Sequence, residues 1–161
     1  MPKPKRVLFV CMGNIVRSPL AEHLFRKMAA ERGLDGSFEA DSAGTSIYHI
    51  GQHPDPRMRE AAAKRGLSYD GVARHLEPED LDHFDLILAM DRFNLMHILE
   101  LAEQYGTQAE IGLLRDFDPQ PGHEPDVPDP FYGGTAGFDA TYDIVSRSLE
   151  ALLDSLMQAE A

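Results

Sequence analysis

The sequence is poor in cysteine, poor in positive charge and without any long apolar run. A single cysteine in 161 residues excludes an intramolecular disulfide and any multi-cysteine metal site. It fits a reducing compartment. Lysine and arginine total 15 against 27 acidic residues, a net charge of −12. Such a surface disfavours nucleic acid and anionic membranes as partners. The basic MPKPKR start is followed only by the short apolar run Val7 to Val10, too short for a signal-peptide core, and no stretch is long enough to span a membrane. A cytoplasmic, monomeric protein is expected. Seven histidines are present, but none stand at His-x-x-x-His or a similar spacing. They read as surface residues, and neither a metal nor a cofactor is expected.

What is present is a regular alternation of strands and helices. Arg6 to Cys11 (RVLFVC) reads as a buried strand, β-branched and aromatic-rich. Leu20, Leu24, Phe25 and Met28 give helical spacing from Ser18 to Arg32, with Ser18 as cap and Pro19 in the first turn. Phe38 to Ala43 is a second strand, and Pro54 to Arg65 a helix closed by Gly66. Asp85 to Met90 is a third strand, after which Asp91 opens a helix ending near Gly106. A weaker strand, Ala109 to Leu114, and a last helix, Phe138 to Met157, complete the chain. The pattern predicts a single α/β domain over residues 1–161. Its architecture is a doubly wound, flavodoxin-like sheet of four parallel strands, order 2-1-3-4, with helices on both faces. Right-handed crossovers bring all strand C-termini to one edge, where such folds bind ligands. Cys11 ends the first strand and so lies on that edge. The segment from Arg115 to Gly137 holds five of the eleven prolines without periodicity, and is expected to hang over the same edge as a functional loop.

The turn CMGNIVRS joins the first strand to the first helix. Gly13-Asn14 permits φ > 0, so successive N–H groups of Met12, Gly13, Asn14, Ile15, Val16 and Arg17 can point into one concavity. The helix N-terminus adds positive potential. Arg17 supplies a planar fork for two phosphate oxygens. The same field favours a thiolate at Cys11, beneath a bound phosphate. Expelling an alkoxide or phenoxide then needs an acid. Asp116, Asp118, Glu124, Asp126 and Asp129 are all candidates by position.

The stretch VLFVCMGNIVRSPLAE resembles the signature of the low-molecular-weight protein tyrosine phosphatases. DSAG at 41–44 with Tyr48 and His49, Pro54-Asp55-Pro56-Arg57, FDLILAMDRFN from Phe84, and DPFY at 129–132 resemble later segments of that family, in order. The resemblance implies a phosphatase acting on phosphotyrosine-containing protein substrates through a phosphocysteine on Cys11, with Arg17 binding phosphate and Asp129 as general acid and base. It implies that Ser18 eases sulfur departure, that Asn14 and Ser42 prop the loop, and that Ile47 and Tyr48 face Phe131 and Tyr132 across the substrate cleft. It leaves Asp91 either orienting groups behind the loop or capping a helix. Three positions depart from the family pattern. Val16 stands where many members have a second cysteine, so no protective disulfide can form. Ile15 stands where members acting on phosphoarginine have threonine, which favours phosphotyrosine. Phe131 replaces the first tyrosine of the usual pair. A phosphatase for phosphoarginine or small phosphoesters is the alternative, and a phosphate-binding module without catalysis is a third reading.

Overall fold

A computed structural model describes residues 3–131 and 133–160. Strand β1 (Lys5–Cys11) is central, paired in parallel with β2 (Phe38–Gly44) on one side and β3 (Leu86–Ala89) on the other. Strand β4 (Glu110–Leu113) extends the sheet beyond β3, giving the expected order β2-β1-β3-β4. Side chains alternate between two covered faces, which explains why β1 is apolar from Val7 to Cys11. Val7 and Phe9 face a core shared with helices α1 (Arg17–Glu31), α2 (Pro56–Ala63) and α5 (Thr135–Glu160). Leu8 and Val10 face the opposite core, with the short helix α3 (Asp80–His83) and with α4 (Arg92–Tyr105). No helix among the described residues is long and apolar enough to cross a membrane.

Because the chain leaves β1 first towards β2 and later returns to β3 on its other side, the strand order reverses at β1. That is the position at which open α/β sheets form a crevice. Cys11 pairs with Gly44 at the end of the β1–β2 register, so both stand at that crevice.

Several boundaries differ from the sequence expectation. Helix α1 begins at Arg17, not Ser18, and its N-cap position, Val16, makes no side-chain cap. Ser18 is thus inside the first turn with its hydroxyl free for another partner. Helix α2 is shorter than expected because Asp55 caps it, accepting from the Arg57 amide at 2.8 Å. Helix α5 starts three residues earlier, and α3 gave no apolar period to read because it is a single turn.

The proline-rich segment is not a free loop. It opens with a 3-10 turn, Leu114–Phe117, and buries Val127 completely. The Asp118 carboxylate, with no exposed surface, accepts from Arg115 Nε at 3.0 Å and Arg147 Nε at 2.8 Å, and takes the Gln120 amide at 3.0 Å. Burial opposes its charge, but the bonds from Arg147, Gln120 and Arg115 outweigh burial and pull its pKa from 3.8 down to about 2. A carboxylate more acidic folded than unfolded stabilises the fold above its unfolded value and loses that contribution as pH falls towards its folded one. In acid unfolding followed by circular dichroism, Asp118→Asn should therefore be less stable than wild type at neutral pH. The gap should close as pH falls from about 4 to about 2, the interval between the two pKa values.

Candidate active site

The backbone from Met12 to Val16 wraps the end of β1. Asn14 is the only non-glycine residue with positive φ among the described residues, at 56°. It can hold that angle because both ends of its amide are tied. Asn14 Nδ2 donates to Ser18 Oγ at 2.8 Å, and its Oδ1 accepts from the Arg74 amide at 3.0 Å. The loop's carbonyls are held from outside. Cys11 O accepts from the Thr45 amide at 3.0 Å, Met12 O from Ser46 at 2.9 Å, and Ile15 O from Asp55 at 2.7 Å. Carbonyls engaged outward leave the concave side to N–H groups and to the uncapped start of α1, an arrangement that attracts anions.

Cys11 lies at the floor of this concavity, 2 % exposed. Its sulfur is 3.0 Å from Ser18 Oγ and accepts the Asn14 amide at 3.3 Å. A thiolate can only accept, so in that state Ser18 donates, and both bonds strengthen as the sulfur gains charge. Arg17 is equally buried. Its Nη1 donates to Asp91 Oδ2 at 2.7 Å and to the Val127 carbonyl at 2.8 Å. Its Nη2 stands 3.6 Å from Asp129 Oδ2. Burial weakens a guanidinium's charge, but Cys11, Asp91 and Asp129 more than compensate, so Arg17 holds its proton more firmly than an ordinary arginine. Asp91 does both things the sequence left open. Its Oδ2 orients Arg17, while its Oδ1 caps α4 by accepting the Asn94 amide at 2.8 Å.

Together Cys11, Met12, Gly13, Ile15, Val16, Arg17, His49, Asp129 and Phe131 line a narrow pocket of about 40 Å³. A wider groove beside α1 and β2, lined among others by Phe25, Arg26 and Asp35, offers about 640 Å³. It does not contain Cys11 and lies beside the edge strand β2, so volume alone misplaces the site. Among the acid candidates, Asp118 is sequestered by two arginines, Asp126 pairs with Arg92 at 3.0 Å, and Asp116 accepts the Leu113 amide at 3.3 Å. Asp129 alone of these lines the pocket.

Three expectations need correcting. Ser42 does not reach Asn14: it donates to the Glu22 carboxylate at 2.6 Å, one helical turn below Ser18. The support for Asn14 comes instead from Ser18 and Arg74. Ile47 and Tyr48 do not line the pocket and are 70 % and 80 % exposed. His49 lines the pocket together with Phe131, the two rings in contact with centroids 5.9 Å apart, and Tyr48 stands edge-on to His49 at 4.9 Å. Tyr132 lies outside the described residues. Nor are all histidines on the surface, since His23 stacks on the buried Tyr69 at 5.1 Å. Burial, with Arg26 nearby, holds His23 below the usual histidine range. The signal for His49 was Gly13: a Cβ there would meet His49 Cδ2 at 2.9 Å, so the ring lies directly on the loop.

A parallel α/β sheet carrying one thiol under an amide-lined loop, with an arginine and a carboxylic acid at its rim, defines a cysteine-based phosphate-handling site. Residues 6–161 match the family model for low molecular weight phosphotyrosine protein phosphatase, and the chain belongs to that family. It is 41% identical over 153 residues to the low molecular weight protein-tyrosine-phosphatase YfkJ of Bacillus subtilis, covering 94% of this chain and 96% of that one. The crystal structure of YfkJ superposes with a TM-score of 0.91 at 38% identity and 99% coverage of both chains. The human low molecular weight phosphotyrosine protein phosphatase is 40% identical over 151 residues, 93% of this chain and 94% of that one. A Drosophila arginine phosphatase also shares the fold, with a TM-score of 0.88 at 30% identity over 93% of this chain and 96% of that one.

Two glycines separate the loop's rigid and yielding neighbours. A Cβ on Gly44 would sit 2.7 Å from the Met12 carbonyl, whereas one on Gly13 meets only a movable ring. Gly44→Ala should therefore destabilise by about 1–3 kcal/mol and weaken inhibition by inorganic phosphate. Gly13→Ala should cost less stability. Thermal denaturation and phosphate inhibition constants check both.

Proposed function

We propose that this chain is a metal-independent protein tyrosine phosphatase that works through a phosphocysteine. The observation that carries the reading is the Cys11 sulfur, in hydrogen-bond contact with Ser18 Oγ and the Asn14 amide at the floor of a pocket also lined by Arg17 and Asp129. Cys11 thiolate attacks phosphorus, forming the P–S bond while the P–O bond to the tyrosyl oxygen breaks. Asp129 gives that oxygen its proton. Arg17, through the nitrogens that Asp91 and Val127 leave free, and the loop amides of Met12 to Ser18 stabilise charge on the equatorial oxygens. These supply the countercharge that a metal ion would otherwise bring. In the second step Asp129, now a carboxylate, takes a proton from water as the water attacks phosphorus. The P–S bond breaks, with Ser18 donating to the departing sulfur, and inorganic phosphate leaves.

His49 and Phe131, in ring contact with each other, give the pocket mouth one aromatic side against which an aryl group can pack. Phosphotyrosine in protein substrates is the fitting class. The structural likeness to the Drosophila arginine phosphatase supports phosphoarginine as a second reading. Ile15 at the loop favours the first.

With an aryl phosphate and chelator present, Cys11→Ser should abolish turnover while retaining phosphate binding. Asp129→Ala should lower turnover by about 10²–10⁴-fold, the usual range for a lost general acid. Full activity in Cys11→Ser contradicts the mechanism. A panel of phosphotyrosine, phosphoserine and phosphoarginine peptides separates the two substrate readings, with kcat/KM highest for phosphotyrosine expected.

A further inference from the structure

The segment that carries Asp129 is also fastened by residues that do not line the pocket. Asp118 is a buried carboxylate with no exposed side-chain surface, and it holds two guanidinium groups. One belongs to Arg147 on α5, which ties the segment to the helical layer. The other belongs to Arg115, whose Nε binds Asp118 at 3.0 Å while its Nη1 donates to the carbonyl of Asp126 at 2.7 Å. Arg115 therefore spans the base of the segment and clamps its far limb.

Val127 comes next. Its amide donates to the Met90 carbonyl at 2.8 Å, and its own carbonyl accepts from Arg17 Nη1 at 2.8 Å. The Asp126–Val127 peptides are thus held from three directions, by Arg115, by the end of β3 and by Arg17. From Val127 the sequence runs Pro128, Asp129, Pro130. Proline fixes its own φ and restricts the residue before it. Little rotational freedom remains between Val127 and Asp129, so the placement of one sets the placement of the other.

We infer that Asp118 is a positioning residue for the acid at Asp129, acting through Arg115 and the Asp126–Val127 backbone. The inference rests on the reading of Asp129 as general acid. Asp118 touches no substrate; it makes Arg115 the fixed end of a strut. Without its charge, Arg115 is released from Asp118, the Asp126 carbonyl loses a fixed donor, and Asp129 is presented to the leaving oxygen over a wider range of positions. The phosphate loop itself is not bonded to Asp118 or Arg115, and Arg17 keeps its bond to Asp91, so phosphate binding is affected less than proton donation.

A misplaced acid has a kinetic signature. Expelling phenol, a weak acid with a pKa near that of tyrosine, about 10, depends on proton transfer. Expelling the more acidic 4-nitrophenol depends on it less. The experiment compares kcat/KM for phenyl phosphate and 4-nitrophenyl phosphate in wild type, Asp118→Asn, Arg115→Lys and Asp129→Ala, together with the inhibition constant for inorganic phosphate. Arg115→Lys keeps the cation beside Asp118 but loses the fork that reaches Asp126, and it carries the test if Asp118→Asn does not fold. Both variants should lose about tenfold more activity on phenyl than on 4-nitrophenyl phosphate, a fraction of the full general-acid contribution. The inhibition constant for phosphate should change by less than that tenfold, because Asp91 still anchors Arg17, and Asp129→Ala should show the same split more strongly. Equal losses on both substrates, or none, while Asp129→Ala keeps its split, would overturn the positioning role and leave the acid assignment standing. No split in Asp129→Ala overturns the acid assignment, and the inference with it.

Discussion

The site depends on the carbonyls of one short loop being held away from its own cavity. Cys11, Met12 and Ile15 give their oxygens to amides of Thr45, Ser46 and Asp55, all in the chain that follows β2. A loop of five residues has few ways to direct its N–H groups inward unless its C=O groups are satisfied elsewhere. The segment after β2 is therefore part of the phosphate cradle although it supplies none of the cradle's donors. Gly44 belongs to the same constraint. A Cβ there would lie 2.7 Å from the Met12 carbonyl oxygen, so only glycine lets β2 pass this close to the loop. Asn14 completes it, accepting positive φ because Ser18 and the Arg74 amide hold its side chain.

Charge is arranged in the same economical way. The buried guanidinium of Arg17 is shared between Asp91, the Val127 carbonyl and the neighbourhood of Asp129. One side of the fork is thereby fixed to scaffold and the other remains for a ligand. Because Asp91 also caps α4, the helix start and the arginine's orientation share one side chain. The protein as a whole carries a net charge of −12, so this local concentration of donors has to attract an anion against the global field. Burial in a narrow pocket helps, since interactions there are screened less than at the surface.

Much of this was legible in sequence because the signals were local. The apolar runs of β1 and β3, the helical spacing of α1 and α5, and the order of elements led to the sheet order found. Cys11 and Arg17 were readable because the strand, the Gly13-Asn14 turn and the helix fall within a dozen residues. Long-range contacts were not readable. Ser42 was expected to prop the loop with Asn14, yet its hydroxyl goes to Glu22, one turn along α1 from Ser18. Tyr48 was given the wall, but the turn that carries it presents His49 instead. Ser18 has the residue type of a cap, and tertiary demand from Cys11 and Asn14 overrode that preference. The ties of Asp118 to Arg147, and of Arg115 to Asp126, join residues 29 and 11 positions apart, with no local pattern to announce them.

The central claim is that Cys11 carries the phosphoryl group between the two steps. The direct measurement is acid quench of the reaction with an aryl phosphate, followed by peptide mass spectrometry and phosphorus NMR. The account predicts a single phosphoryl group bonded to sulfur on the peptide containing Cys11, formed and lost at rates that match turnover. A phosphoryl group found on another residue, such as His49, or steady turnover with no covalent adduct at any quench time, would contradict it.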